Sequence, residues 1–278
     1  MQDINIDPFE EYVKDLPADR KELAGAWSCA IGLQDVDGLT PSEYLYNTAK
    51  KNIGGEITID EAGDLINSYY ESKNARAEHS TEEADKVSQR IAKLLSEKAF
   101  VFSPAQYISI HRQLFQGIYS HAGTLRDYNI AKKEWVLNGD TVSYGNATDL
   151  RETLEYDFSQ ERQFRYNGLT MNEIIHHLAV FISRLWQIHV FGEGNTRATA
   201  VFFIKYLRQL GFDADNYMFA KHSWYFRNAL VRANYTNLPK GIYETTEFLE
   251  KFLKNMLLKE TNTLQNRDLH ISSQLEAK

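Results

Sequence analysis

At five expected helix starts along this chain a Ser or Thr is followed three residues later by Glu or Gln: Thr40–Glu43, Thr58–Glu61, Ser80–Glu83, Ser103–Gln106 and Thr170–Glu173. This is the capping box, in which two side chains satisfy the orphan N–H groups at a helix start. Glycine and proline are scarce, 15 and 5 of 278 residues, too few for the tight turns of an all-β chain. Together these features dictate an all-α chain.

Apolar spacing fills in the helices. Ala62, Leu65, Ile66 and Tyr69 follow the second box; Ala84, Val87, Ile91, Leu94 and Leu95 follow the third; Ile108, His111, Leu114, Phe115 and Ile118 follow the fourth. The first two helices are expected to be short, the first capped at Thr40 with Pro41 in its first turn. A further helix is expected from about Thr148 to Phe164. The fifth box opens a helix carrying Ile175, Leu178, Ile182, Leu185 and Trp186, with Leu169 and Ile174 as a hydrophobic staple. It ends at a glycine-containing loop, after which Ala198 to Leu210 reads as another helix stopping at Gly211. Ser223–Tyr235 and Thr245–Leu258 complete the set. Glu134–Leu137, the turn pair Asn138-Gly139 and Asp140–Tyr144 read as a short β-hairpin, because Asn-Gly accepts the positive φ angles of a type I′ turn. The chain from Thr261 onward is expected to be a polar, frayed tail, and the weakest internal boundary lies near Arg76 to Thr81.

Composition removes several classes of function. Cys29 is the single cysteine, so no intrachain disulfide forms, and a reducing cytoplasm is the expected setting. Met1 to Tyr12 is acidic and polar, unlike a targeting segment. Apolar runs such as Ala200 to Ile204 fall far short of the roughly 20 residues of a membrane span, so no membrane partner is expected. A net charge of −7 and the lack of a basic stripe argue against nucleic acid as a partner. No repeat at solenoid periods is present.

The chemistry concentrates in His189-Val190-Phe191-Gly192-Glu193-Gly194-Asn195-Thr196-Arg197. Glycines let backbone N–H groups approach an anion, the following helix N-terminus carries partial positive charge, and Arg197 can pair with phosphate oxygens. Glu193 can hold Mg²⁺, which is typically bound by one or two carboxylates plus substrate phosphates. His189 titrates near neutrality and can take a proton from a hydroxyl. The bland alternative is a plain helix–helix connection. Neither a P-loop nor a dinucleotide fingerprint fits, since the lysine of the first and the third glycine of the second are missing.

This nine-residue run resembles the signature of the Fic (filamentation induced by cAMP) family, His-x-Phe-x-Asp/Glu-Gly-Asn-Gly-Arg-x-x-Arg. The likeness extends from about Phe100 to Leu258 and includes Ala122–Arg126 and Tyr225–Leu230. The resemblance implies a Fic-type helical core at 100–260, a helical extension at 1–99 that is antitoxin-like near 28–72, and a tail at 261–278. It implies a protein adenylyltransferase, moving AMP from ATP to a Ser, Thr or Tyr hydroxyl of a target protein with release of pyrophosphate. On that pattern His189 is the general base and Glu193 the Mg²⁺ ligand. Gly192, Gly194, Asn195, Thr196 and Arg197 bind the nucleotide, with Tyr225 and Asn228 near it. The hairpin, with Trp135, Val136 and Leu137, is the flap that aligns a target segment by strand addition. A Fic-fold transferase using another nucleotide or donor, or a weakly catalytic binding module, are the alternatives; a homo-oligomer is also compatible.

Three positions depart from the signature: Val190 replaces a proline, Thr196 a glycine and Ala200 the final arginine. In typical members that arginine pairs with the glutamate of an inhibitory element. Here Leu33–Pro41 is similar to such an element, with Asp37 as the carboxylate, and the expectation is that Asp37 faces Ala200 and finds no partner. Ser272–Glu276 matches the same loose pattern. His111 reads as a satisfied core histidine and His176 and His177 as packing or surface residues. Lys50, Lys51, Lys132 and Lys133 read as solvated charges.

Overall fold

The computed structural model describes residues 9, 17–72, 79–214 and 216–272. Most of Met1–Tyr12, much of the Arg76–Thr81 boundary and the end of the Ser272–Glu276 match lie outside the described residues.

The architecture is helical: α1 (Ala18–Gly32), α2 (Glu43–Gly54), α3 (Ile59–Ser72), α4 (His79–Ser96), α5 (Pro104–Phe115), α6 (Leu150–Gln163), α7 (Met171–Ile188), α8 (Asn195–Gln209), α9 (Asn216–Arg232), α10 (Glu247–Leu258) and α11 (Asn266–Leu269). The boxes at Thr58 and Thr170 close in both directions, with Thr58 N and Thr170 N each donating at 2.7 Å to the glutamate three residues on. Ser103 Oγ accepts from Gln106 N at 3.1 Å. Two boxes resolve differently. The α2 cap is Ser42, not Thr40, its Oγ accepting from Leu45 N at 3.1 Å. Glu83 turns into the site described below instead of back to its own helix start.

α1 escaped the periodicity reading because it has no solvent face at its C-terminal end: every residue from Ala26 to Gly32 is buried. An amphipathic stripe cannot appear in a helix enclosed on all sides. Its small residues permit close crossing; a Cβ on Gly32 would sit 2.5 Å from the Ala220 carbonyl oxygen. α1 packs against both α4 and α9, and one hydrophobic core runs from Trp27 and Leu33 through Phe191, Phe202 and Phe226. Burial of each such large side chain contributes about 1.5–3 kcal/mol.

The expected hairpin is absent: Trp135–Leu137 form a 3-10 turn, and the Asn237–Ile242 pair is the one β-bridge among the described residues. Asn138 and Gly139 do take positive φ, 56° and 84°. The flanks meet in one backbone bond, Glu134 N donating to Asp140 O at 2.9 Å, and no strand ladder forms because other groups are used locally, Leu137 N bonding Glu134 O at 3.1 Å and Asp140 N bonding Leu137 O at 3.2 Å. The tail is not frayed as far as Ser272. Leu269 and Ile271 are buried, and Arg232 Nη1 donates to Leu269 O at 3.0 Å. Its apolar residues, spaced too sparsely to mark a helix, fill the gap between α9 and the 3-10 turn.

Candidate active site

α7 ends at His189, whose backbone is left-handed at φ 52° and ψ 55°. That conformation costs a non-glycine residue about 1–2 kcal/mol. Arg126 holds it there: its Nε donates to His189 O at 2.7 Å, Nη1 to Tyr128 O at 2.6 Å, and Nη2 to Gly145 O. Arg126 N also donates to Val190 O at 2.9 Å.

The loop after His189 is anchored by its two aromatic or amide positions. Phe191 is fully buried and stacks on His111 with ring centroids 3.7 Å apart. Asn195 closes the loop on itself, Nδ2 donating to Phe191 O at 2.8 Å and Oδ1 accepting from Phe191 N at 3.0 Å. His111 is the satisfied core histidine that the sequence suggests. Gly123 N donates to its Nδ1 at 2.9 Å, which leaves the proton on Nε2 for Glu193 O at 2.9 Å. Burial pushes its pKa down to about 4, so this neutral tautomer persists.

Gly194 caps α8 at φ 74°, and a Cβ there would lie 2.4 Å from the Phe115 ring. Gly192 is less constrained: a Cβ there would meet Tyr128 OH at 2.7 Å, the movable end of an exposed side chain. Gly194 is the position that demands glycine, by its positive φ and by the Phe115 ring.

His189 is 3% exposed, and neither ring nitrogen has a hydrogen-bond partner among the described residues. Burial first, then the cations of Lys132, Arg126 and Arg227, holds its pKa well below the usual imidazole value. The nearby Trp186 carbonyl offsets this only in part, lying outside hydrogen-bonding geometry. The result is a neutral imidazole with both nitrogens uncommitted, one of which can accept a proton. Glu193 is half-exposed, and its Oε2 pairs with Lys132 Nζ at 2.9 Å. Lys132 is therefore no ordinary solvated charge. Among the described residues no cluster of three or more metal-ligating side chains occurs. A single exposed carboxylate beside a phosphate cradle still suits Mg²⁺, whose remaining ligands are phosphate oxygens and water.

Arg197 is 1% exposed and fully engaged. Its Nη1 donates to Gln34 Oε1 at 3.0 Å, and Nη2 to Glu83 Oε1 at 2.6 Å and Tyr119 OH at 3.1 Å. Nε lies 2.8 Å from Asp37 Oδ2, an ion pair without hydrogen-bond alignment. Burial opposes the charge, yet Asp37, Tyr119 and Glu83 outweigh it and raise the pKa. The expectation that Asp37 would face Ala200 unpaired is thus overturned. Ala200 is buried in α8, and the 3-10 turn Leu33–Asp37 delivers Asp37 to the arginine that the motif retains.

Other expected site residues fall elsewhere. The Thr196 hydroxyl turns into the core and accepts from Trp186 Nε1 at 3.0 Å. Tyr225 is buried and donates to Phe248 O at 3.3 Å, while Asn228 Nδ2 donates to Asn266 Oδ1 at 2.8 Å. These contacts tie α9 to α10 and the tail. Of the flap residues, Val136 and Leu137 are buried and Trp135 is exposed, its ring 4.8 Å from that of His270.

Sequence reasoning assigned none of these site contacts to the side chains of Gln34, Glu83, Tyr119, Arg126, Lys132, Glu134 or Tyr144. Glu134 is fully buried between Tyr144 OH at 3.0 Å and Arg227 Nη1 at 2.7 Å. It follows Lys132 and Lys133 in the chain, so nothing local marks it for burial.

A left-handed histidine, a glycine-containing loop and a helix N-terminus follow one another in a helix–loop–helix. The Fic/DOC family model matches residues 101–207, which supports a Fic domain over that segment. No curated protein matches the chain. Among the described residues no helix is long and apolar enough to cross a membrane.

Proposed function

We propose that this chain is a protein adenylyltransferase that moves AMP from ATP to a hydroxyl side chain of a target protein. The observation that carries the reading is the buried, neutral His189, both ring nitrogens uncommitted among the described residues, at the start of the loop that leads to Gly192–Arg197. A target hydroxyl gives its proton to His189 as its oxygen attacks the α-phosphorus; the bond to the bridging oxygen breaks and pyrophosphate leaves. Gly192 and Gly194 let backbone amides and the α8 N-terminus meet the phosphates, and Glu193 would hold Mg²⁺, which neutralises phosphate charge. Asn195 shapes the loop through Phe191 and does not reach outward.

Arg197 needs release before it can serve a phosphate. Asp37, Gln34 and Glu83 restrain it, so the N-terminal extension acts as an inhibitor through the motif's own arginine. Incubation of the protein and cell lysate with each nucleoside triphosphate, followed by mass analysis of modified peptides, tests the reading. Adducts of AMP on Ser, Thr or Tyr support it. Adducts of another nucleotide establish the alternative donor, and binding without any adduct establishes a binding module.

A further inference from the structure

A histidine acting as a base is usually oriented by a hydrogen bond at the nitrogen away from its substrate. His189 has no such bond, since both ring nitrogens are without partners among the described residues. Two aromatic rings confine it instead. Tyr144 lies 4.3 Å away, tilted at 43°, and Trp186 stands edge-on at 5.4 Å and 87°. Tyr144 and Trp186 also touch each other at 5.7 Å. Ring packing alone leaves a side chain free to slide, so the position of the imidazole depends on what fixes these rings.

Each ring is tethered at its polar end. Tyr144 OH is held by Glu134, which Arg227 secures. Trp186 Nε1 donates to Thr196 Oγ1 at 3.0 Å. Trp186 is 1% and Thr196 6% exposed, so water offers the indole N–H no alternative. A buried indole N–H without an acceptor is costly, which makes this bond directive. It also links the last turn of α7 to the first turn of α8, spanning the whole loop that carries His189. Thr196 stands where the signature has glycine, a residue with no oxygen to offer. We infer that Thr196 is a positioning residue for His189: its hydroxyl locks the Trp186 indole, and the indole sets the plane of the imidazole.

The consequence for turnover rests on the adenylyltransferase reading; the placement of the ring does not. The test is NMR of the full chain with ring-labelled histidine, titrated against pH, with His189→Ala assigning the His189 signal among the 8 histidines. Thr196→Val keeps the shape of the side chain and removes the acceptor. It is expected to move the His189 ring resonances and bring its titration closer to that of free imidazole, leaving the other histidines in place. Thr196→Ser retains the oxygen and is expected to keep the parental His189 signal. In the transfer reaction Thr196→Val is expected to lower kcat about tenfold or more with KM for nucleotide little changed, as a displaced base would. Should Thr196→Val not fold, Trp186→Phe/Thr196→Val removes donor and acceptor together, which spares the buried polar group. The same displaced His189 signal is expected from that pair. An unmoved His189 signal in either folded variant, or a displaced one in Thr196→Ser, overturns the inference. A parent protein that transfers no nucleotide overturns the functional reading alone, because the ring resonances report the tether without turnover.

Discussion

Asp37 Oδ2 lies 2.8 Å from Arg197 Nε, which places a carboxylate of the N-terminal extension against the arginine of the Gly-Asn-Thr-Arg motif. Two further groups on that arginine, Gln34 and Glu83, also come from the extension. The arginine cannot bind a phosphate and keep all of these partners, so on the proposed function a nucleotide would compete with the extension. Asp37→Asn is expected to raise nucleotide affinity and transfer while lowering stability by ~1–3 kcal/mol, since a buried charge loses part of its compensation. Isothermal titration and thermal melting check both directions. Loss of affinity together with stability would remove the competition. Removal of residues 1–52 does not test it, because α1 is part of the core.

Gly194 tolerates no side chain. Gly194→Ala forces a Cβ toward Phe115 at 2.4 Å and strains a φ of 74°. A loss of about 1–3 kcal/mol is expected, with transfer abolished because the cradle must shift. Chemical denaturation and the transfer assay read the two effects.

These loop features mark the boundary of what sequence reveals. Gly194 was legible because a left-handed helix cap with no room for a Cβ demands that residue type, whereas Asn195, expected at the nucleotide, closes the loop on Phe191 instead. The partners of Arg197 were not legible, since Gln34 and Glu83 reach it from 163 and 114 residues away. Glu83 even carried a competing local reading as a capping glutamate. The missing hairpin has the same origin: Asn138-Gly139 gave the right φ signs, but burial of Glu134 with Arg227 decided what the flanks do. α1 was hidden because its C-terminal half, Ala26 to Gly32, is buried on all sides and shows no amphipathic stripe.

Stability is expected to fall on acidification through His111 and His189. Both have pKa values below the unfolded value of about 6.5, so the unfolded chain binds more protons in that range. The stabilisation is complete above pH ~6.5 and is lost as pH falls toward the folded values. For His111, with a folded pKa of about 4, the full loss is on the order of 3 kcal/mol. Denaturation between pH 7 and 4 checks the slope, and His111→Asn should flatten it. A stability that rises over this interval would contradict the buried neutral state.

Lys132 competes with any cation at Glu193. The pair is partly exposed, 29% and 54% for the two side chains, and so contributes no more than about 1 kcal/mol. Lys132→Met is expected to lower the Mg²⁺ concentration for half-maximal transfer by less than about fivefold. A metal titration of the transfer reaction checks this, and an unchanged or raised requirement would place the cation away from Glu193.

On the proposed function His189 drives transfer of the α-phosphoryl nucleotide to protein. The most direct measurement incubates the protein and a lysate with Mg²⁺ and ATP labelled at the α-phosphate, in parallel with ATP labelled at the γ-phosphate, for the parent chain and His189→Ala. The account predicts protein-bound label from the α-position alone, absent in His189→Ala. Label from the γ-position, or α-label that persists undiminished in His189→Ala, would contradict it.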